Sequence, residues 1–286
     1  MAQLGSQNSK LLEVLRAAGH ILPGNFLKAW FFLNLISKPR KLVRRSLHTF
    51  YRIELVYDVL REARSSYSGK FAVLEFGTAA GYAFTKMLYA TRYLGLEDRV
   101  EVHAFDSFEG LPAPQDGVDD GLTTMDWAEG QFKGDYEDLV AYCDRRYRNH
   151  RIHRGYFEDS LTPDRLEVFR EQLPILVWID CDYYSSTKKV FDSILPYLPN
   201  GCVIYFDDYE FNYGSRLTCE ARFVHEFNHG LHGNDKELVL DRDLSLDSRR
   251  VYRFVRADED AIRYPLLAER RRPMTARRRG NDSPLP

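Results

Sequence analysis

The sequence predicts an α/β fold, with a doubly wound, largely parallel sheet, helices on both faces and a helical N-terminal extension. Three observations carry this reading. Short apolar runs alternate with longer segments of helical composition between residues 66 and 262. The run Phe71–Phe76 leads into Gly77 and Gly81, and then into a helical segment from Tyr82 to Tyr93. Acids close one apolar run after another, at Asp106, at Asp180 and at Asp207-Asp208. In an open parallel sheet these acids would share the carboxyl edge, where such sheets bind ligands.

Taken in order, residues 1–65 read as helical pieces broken at Pro23-Gly24 and Pro39. They suit a lid or a dimer contact, and the apolar part suggests a homodimer. Ile53, Val56, Tyr57 and Leu60 recur at helical spacing, so the last piece should pack on the sheet. Phe71–Phe76 suits a strand buried on both faces. The loop after it, Glu75-Phe-Gly-Thr-Ala-Ala-Gly81, reads as a tight turn into a helix with close backbone approach to a ligand. A dinucleotide site would want G-x-G-x-x-G. The G-x-x-x-G found here fits instead the loop that packs against the methionine part of S-adenosylmethionine (SAM) in class I methyltransferases, or a plain strand-turn-helix with no ligand.

Val100–Phe105 is the second strand, and Asp106 at its end would accept hydrogen bonds from a ribose diol or cap the next turn. Residues 107–135, rich in Gly and Asp, form a long loop of the kind that is usually functional. A helix follows from Glu137 to Arg148, and a third strand from Arg151 to Phe157. Pro163 suits the first turn of another helix. Ile175–Ile179 is strand four, Thr187–Leu198 a helix, and Cys202–Phe206 strand five. A helix from Leu217 to His229 and two antiparallel strands, Glu237–Leu240 and Arg249–Val255, complete a Rossmann-like sheet of seven strands. Residues 263–286, with Arg270–Arg272 and Arg277–Arg279, read as a disordered tail.

Composition narrows the class. A chain of 286 residues, 44% hydrophobic and 14% aromatic, can fill one large α/β core. A formal net charge of −2 gives no sign of a nucleic-acid partner. Cys143, Cys181, Cys202 and Cys219 lack CxxC spacing and read as reduced thiols of a cytoplasmic protein. No signal peptide opens the chain. Phe26–Ile36 is too short to span a bilayer; with the basic Lys38–Arg45 behind it, it suits an interfacial helix or, in preference to membrane contact, a lid or dimer element.

The chemistry-bearing residues are the acids at the strand ends: Glu75, Asp106, Asp180, Asp182, Asp207 and Asp208. Carboxylates set side by side repel unless a cation, a basic substrate or raised pKa values compensate. A hard divalent ion is the simplest solution, and Asp180, Asp207 and Asp208 could share one. Helix capping and solvent exposure are the alternative. A rival site is His225-Glu-Phe-Asn-His229, which matches the H-E-x-x-H pattern of zinc hydrolases, with Glu226 as base. A non-catalytic nucleotide-binding module is a third reading.

Phe105-Asp-Ser-Phe-Glu-Gly-Leu-Pro112 resembles the signature of the macrocin O-methyltransferase (TylF-like) family. The resemblance continues in Asp126-Trp127, Gly130 with Phe132, Gly155–Leu161, Asp180–Thr187 and Asp207-Asp-Tyr209, in the family's order. It implies a class I methyltransferase that uses SAM and a divalent cation, usually Mg²⁺, to methylate a hydroxyl of a sugar or glycosylated natural product. Glu75, Gly77, Thr78 and Gly81 would form the SAM loop. Asp106 would hold the ribose, with Ser107, Phe157 and Asp159 around the adenine. Asp180, Asp207 and Asp208 would bind the ion, and Asp182, two residues past a ligand, is the candidate base. Where the family usually reads Asp-Gly-Asp-Leu-Tyr-Glu-Ser-Thr, this chain has Asp-Cys-Asp-Tyr-Tyr-Ser-Ser-Thr, so the pocket beside Cys181 and Tyr184 is expected to differ.

Overall fold

The computed structural model describes residues 53–66, 69–119, 127–245 and 250–257. The expectations for residues 1–52, for Asp126 and for the Arg-rich tail lie outside the described residues.

Seven strands form one sheet in the order β3-β2-β1-β4-β5-β7-β6. Strands β1 (Lys70–Phe76), β2 (Val100–Asp106), β3 (His150–Arg154), β4 (Gln172–Ile179) and β5 (Val203–Phe206) run parallel. β7 (Arg250–Arg256) enters antiparallel between β5 and β6 (Lys236–Leu240). The strand order reverses between β1 and β4, and crevices open at such points.

The period of two along each strand sorts the core into two layers. Phe71, Val73, Val102, Leu176, Val203 and Tyr205 face α1 (Ile53–Ser66), α2 (Tyr82–Tyr93) and α3 (Tyr136–Asp144). Ala72, Leu74, Phe76, Val177, Ile204 and Phe206 face the other way. That layer is covered by α4 (Phe157–Ser160), α5 (Pro163–Leu166), α6 (Tyr184–Ile194) and α7 (Cys219–Asn228). The expected docking of Ile53, Val56 and Leu60 on the sheet is observed. Arg253 of β7 reinforces it by pairing with Glu62 of α1 at 3.1 Å and with Asp241 at 2.8 Å.

Three elements end earlier than the sequence pattern suggests, the first being α3, which stops at Asp144 rather than at Arg148. β3 stops at Arg154 because Gly155 takes φ +135° and turns the chain, so Phe157 opens a helix rather than closing a strand. α6 begins at Tyr184 and ends at Ile194, where Pro196 lacks the N–H an α-helix needs and the chain tightens into a 3₁₀ turn over Leu195–Tyr197.

Parallel register sets the edge that matters. Phe76 stands opposite Phe105 and Ile179, and Ile179 opposite Phe206. The next residues, Asp106, Gly77, Asp180 and Asp207, therefore form one row across four strands. Gly77 is obligatory in that row. It holds φ +84°, and a Cβ there would lie 1.7 Å from the Asp180 carbonyl oxygen. Gly77→Ala is expected to destabilise the protein by about 3 kcal/mol or more through backbone displacement. Gly95→Ala, at φ +66° with open space around it, should cost only about 1–2 kcal/mol. Urea unfolding of the two variants checks this; equal losses would contradict the close approach at Gly77.

Candidate active site

A cavity of about 620 Å³ opens at the carboxyl ends of β1, β2 and β4. Its wall on one side is the loop after β1, with Gly77, Thr78 and Ala79, and on the other the segment Asp180–Asp182. Asp106 anchors the loop. Its Oδ2 accepts the main-chain N–H groups of Thr78 at 2.6 Å and Ala79 at 2.8 Å, and its Oδ1 accepts that of Phe108. Ser107 accepts from the Glu109 N–H and donates to the Gly110 carbonyl. Both the capping role and a cavity-lining position therefore fall to the acid at the end of β2. Gly81 faces away from the cavity; a Cβ there would meet Leu139 of α3 at 2.4 Å. Its left-handed backbone and that close packing start α2.

At the floor stands Glu75, fully buried, with Oε2 accepting from the Thr78 hydroxyl at 3.0 Å. Burial, reinforced by Asp106 and Asp207, pushes its carboxyl up to about 8. One step along the sheet, Asp180, Asp207 and Asp208 each present an oxygen within 4.8 Å of the others. Burial and the charges of Asp207 and Asp208 drive the Asp180 carboxyl well above its ordinary range. Tyr205 donates to Asp207 Oδ1 at 2.6 Å and fixes that side chain. Asp182 sits in the left-handed region at φ +61°, an uncommon conformation for a non-glycine residue. Burial and Asp208, with which it shares a hydrogen bond, push it up to about 8. Carboxyls thus outnumber Lys86 and Lys133, the basic side chains that line the cavity. Three convergent carboxylates suit a hard, oxygen-seeking divalent cation, and the cavity has the volume of a cofactor pocket.

Residues 74–209 match the family model described as a methyltransferase domain. No curated protein sequence matches the chain. Among solved structures, the chain is similar to CalS11, a calicheamicin methyltransferase. The identity is 18%, the TM-score is 0.56, and 81% of this chain and 91% of that chain are covered. It is also similar to the O-methyltransferase NovP, at 20% identity and a TM-score of 0.53, covering 72% of this chain and 80% of that chain. These likenesses show the fold, a Rossmann-like seven-stranded sheet.

Within the matched segment, the residues expected to form the site fall into two groups. Glu75, Gly77, Thr78, Asp106, Ser107, Phe157, Asp180, Asp182 and Asp208 line the one cavity, and Asp207 joins them through the carboxylate group. Gly81 and Asp159 do not line it. Asp159 is exposed, and its neighbour Glu158 takes the lining position. Trp178 and Glu220 were not anticipated. Trp178 lies two residues before Asp180 and so on the same face of β4, a relation the period of two already contains. Its indole N–H is buried without a hydrogen-bond partner. Glu220, at the start of α7, looks in the sequence like an acid drawn to a helix N-terminus.

The H-E-x-x-H pattern is spent differently. Glu226 accepts from the Tyr184 hydroxyl and, at 2.8 Å, from Arg222 Nε, so it is held against α6. His225 and His229 lie ring to ring at 3.9 Å between centroids, and His229 Nδ1 sits 2.7 Å from the His225 carbonyl oxygen. Among the described residues, Asp180, Asp207 and Asp208 are the group of three or more such donors that converges. Among those residues, too, no helix is long and apolar enough to cross a membrane.

The raised carboxyls make stability depend on pH. An acid whose pKa is higher in the folded state binds its proton more tightly there. Its contribution is complete below its ordinary range and is lost as pH rises through the folded value. For Glu75 that window runs from 4.5 to about 8. Without added cation, the protein should lose stability across this window. Glu75→Gln, neutral throughout, should flatten the slope by up to roughly 1.4 kcal/mol per pH unit. Thermal melts at a series of pH values measure this, and parallel curves for the two proteins would contradict a neutral buried Glu75.

Proposed function

We propose that the protein is a SAM-dependent, divalent-cation-dependent O-methyltransferase acting on a hydroxyl of a sugar or glycosylated natural product. The observation that carries this reading is the convergence of Asp180, Asp207 and Asp208 beside a cavity bounded by the Gly77 loop. The motif resemblance and the similarity to CalS11 and NovP support the acceptor class.

When bound, SAM supplies a methyl group on a sulfonium and the divalent cation, Mg²⁺ in the simplest case, lowers the pKa of the acceptor hydroxyl and fixes its oxygen. The chain's own residues do the rest. Gly77, Thr78 and Ala79 would hold the cofactor against the sheet, and Glu75 below them would ionise as a positive group enters. Asp106 has one lone-pair position left on Oδ1 for a ribose hydroxyl. Phe157, whose ring stands edge-on to Phe76 at 6.0 Å, would border the adenine. Asp180, Asp207 and Asp208 would carry the cation. Asp182, half-buried beside them, would take the proton of the acceptor hydroxyl as its oxygen displaces a neutral thioether from the methyl carbon. Holding donor and acceptor in near-attack geometry supplies much of the acceleration.

Methyl transfer to a panel of deoxysugar glycosides and nucleotide sugars, followed by mass, tests the acceptor class. EDTA is expected to stop turnover. Asp180→Ala and Asp207→Ala should abolish it while leaving the calorimetric affinity for SAM intact; retained activity in either variant would contradict the cation assignment. Asp182→Asn should lower kcat by roughly 10²–10⁴ if the residue is the base. A loss confined to KM would instead make it a binding group.

A further inference from the structure

Glu220 has no part in the mechanism above, yet it is built into the site. Its side chain is completely buried. Oε2 accepts the main-chain N–H of Asp208 at 2.9 Å. Oε1 is buried with no hydrogen-bond partner. The strongest charges acting on it are the acids Asp208, Asp180, Asp207 and Asp182. An acid in the first turn of a helix ordinarily stays in water and draws on the helix dipole. Glu220 instead points inward. The residue before it, Cys219, is held at φ +52°, the left-handed region that glycine favours. A buried carboxyl oxygen without a donor is rare in folded proteins and calls for a specific reason.

That reason lies in the layer it occupies. The converging oxygens of Asp180, Asp207 and Asp208 form a complete group without Glu220. One of its oxygens is already committed to the Asp208 main chain. It stands behind the ligands and grips the backbone from which two of them project. Partners of this kind, one shell out, orient ligands and set affinity. We propose that Glu220 is a positioning residue of the cation site. By holding the Asp208 N–H it fixes the Asp207-Asp208 backbone and sets how tightly a divalent cation binds. The inference rests on the reading of the aspartate group as a cation site.

The test is Mn²⁺ binding to the full chain, measured by the loss of the free-ion paramagnetic signal, for wild type, Glu220→Ala, Glu220→Gln and Glu220→Asp. Glu220→Ala is expected to weaken Mn²⁺ binding about tenfold or more with unchanged SAM affinity. Glu220→Gln should stay within about threefold of wild type, because its amide oxygen can still accept the Asp208 N–H. Glu220→Asp keeps the charge but withdraws the carboxyl by one methylene, so it should fall with alanine. If melting shows that Glu220→Ala is unfolded, the aspartate variant decides. Wild-type affinity in Glu220→Asp, or a loss in Glu220→Gln equal to that in alanine, overturns the positioning role. Wild-type protein that binds no Mn²⁺ overturns the cation reading itself and this inference with it. Wild-type binding together with unaffected variants overturns only the role of Glu220.

Discussion

Carboxyl groups crowd together where β1, β4 and β5 end, and the rest of the structure is arranged around that crowding. Asp180, Asp182, Asp207 and Asp208, all half-buried, and the fully buried Glu75 and Glu220 act electrostatically on their neighbours in this group. Ionised carboxylates buried together repel at short range in a weakly polarisable medium. Burial first, and then the neighbouring carboxylates, push Glu75 and Asp182 both up to about 8, so without a cation protons relieve the strain. A bound cation with a sulfonium donor nearby would relieve the same strain by other means. The site is thus poised for positive charge, and that bias unites the proposed cofactor, the proposed ion and the reaction.

The two-layer core makes such crowding tolerable. Trp178 and Tyr205 pack with tilted rings, 4.1 Å between centroids, directly beneath the acids, and Tyr205 supplies the hydrogen bond that fixes Asp207. On the opposite face Phe191, Phe206 and Phe223 pack together under α6 and α7. These rigid layers hold the strand ends in register. The row Asp106–Gly77–Asp180–Asp207 is then a consequence of parallel pairing rather than of any local preference of those residues. Gly77 completes it by omission, since only a residue without a side chain lets β1 and β4 approach so closely at their ends.

The long loop after β2 is tied down from both sides. Its base is closed by the Leu111 N–H to the Gln131 carbonyl at 2.8 Å and the Gly130 N–H to the Leu111 carbonyl at 2.9 Å. Farther out, Asp119 is buried and accepts from the N–H and hydroxyl of Ser185, and the Val118 carbonyl accepts from Arg222. Tyr184, Arg222 and Glu226 thus belong to a structural brace between α6, α7 and this loop. The same brace engages the central glutamate of the zinc-like pattern, and among the described residues its histidines join no group of three converging metal donors.

The alternation of apolar runs with helical segments was enough to fix the fold class and the seven strands, because burial on two faces and burial on one stripe leave different periods in the chain. The acids at strand ends were equally legible, since an open parallel sheet has one carboxyl edge and those residues had to stand on it. Where β3 and α6 stop was not, since Gly155 and Pro196 act on backbone geometry that periodicity does not register. Nor could sequence tell that Gly81 serves a leucine, that Asp159 faces water or that Glu226 is occupied. Glu220 is the plainest case. Its position in the chain marks an ordinary helix-terminal acid, and only the docking of α7 against the end of β5 turns it toward Asp208. Local pattern decides which elements form and which face they bury. What a polar side chain meets depends on contacts between residues far apart in the chain, and those exist only once the elements have packed.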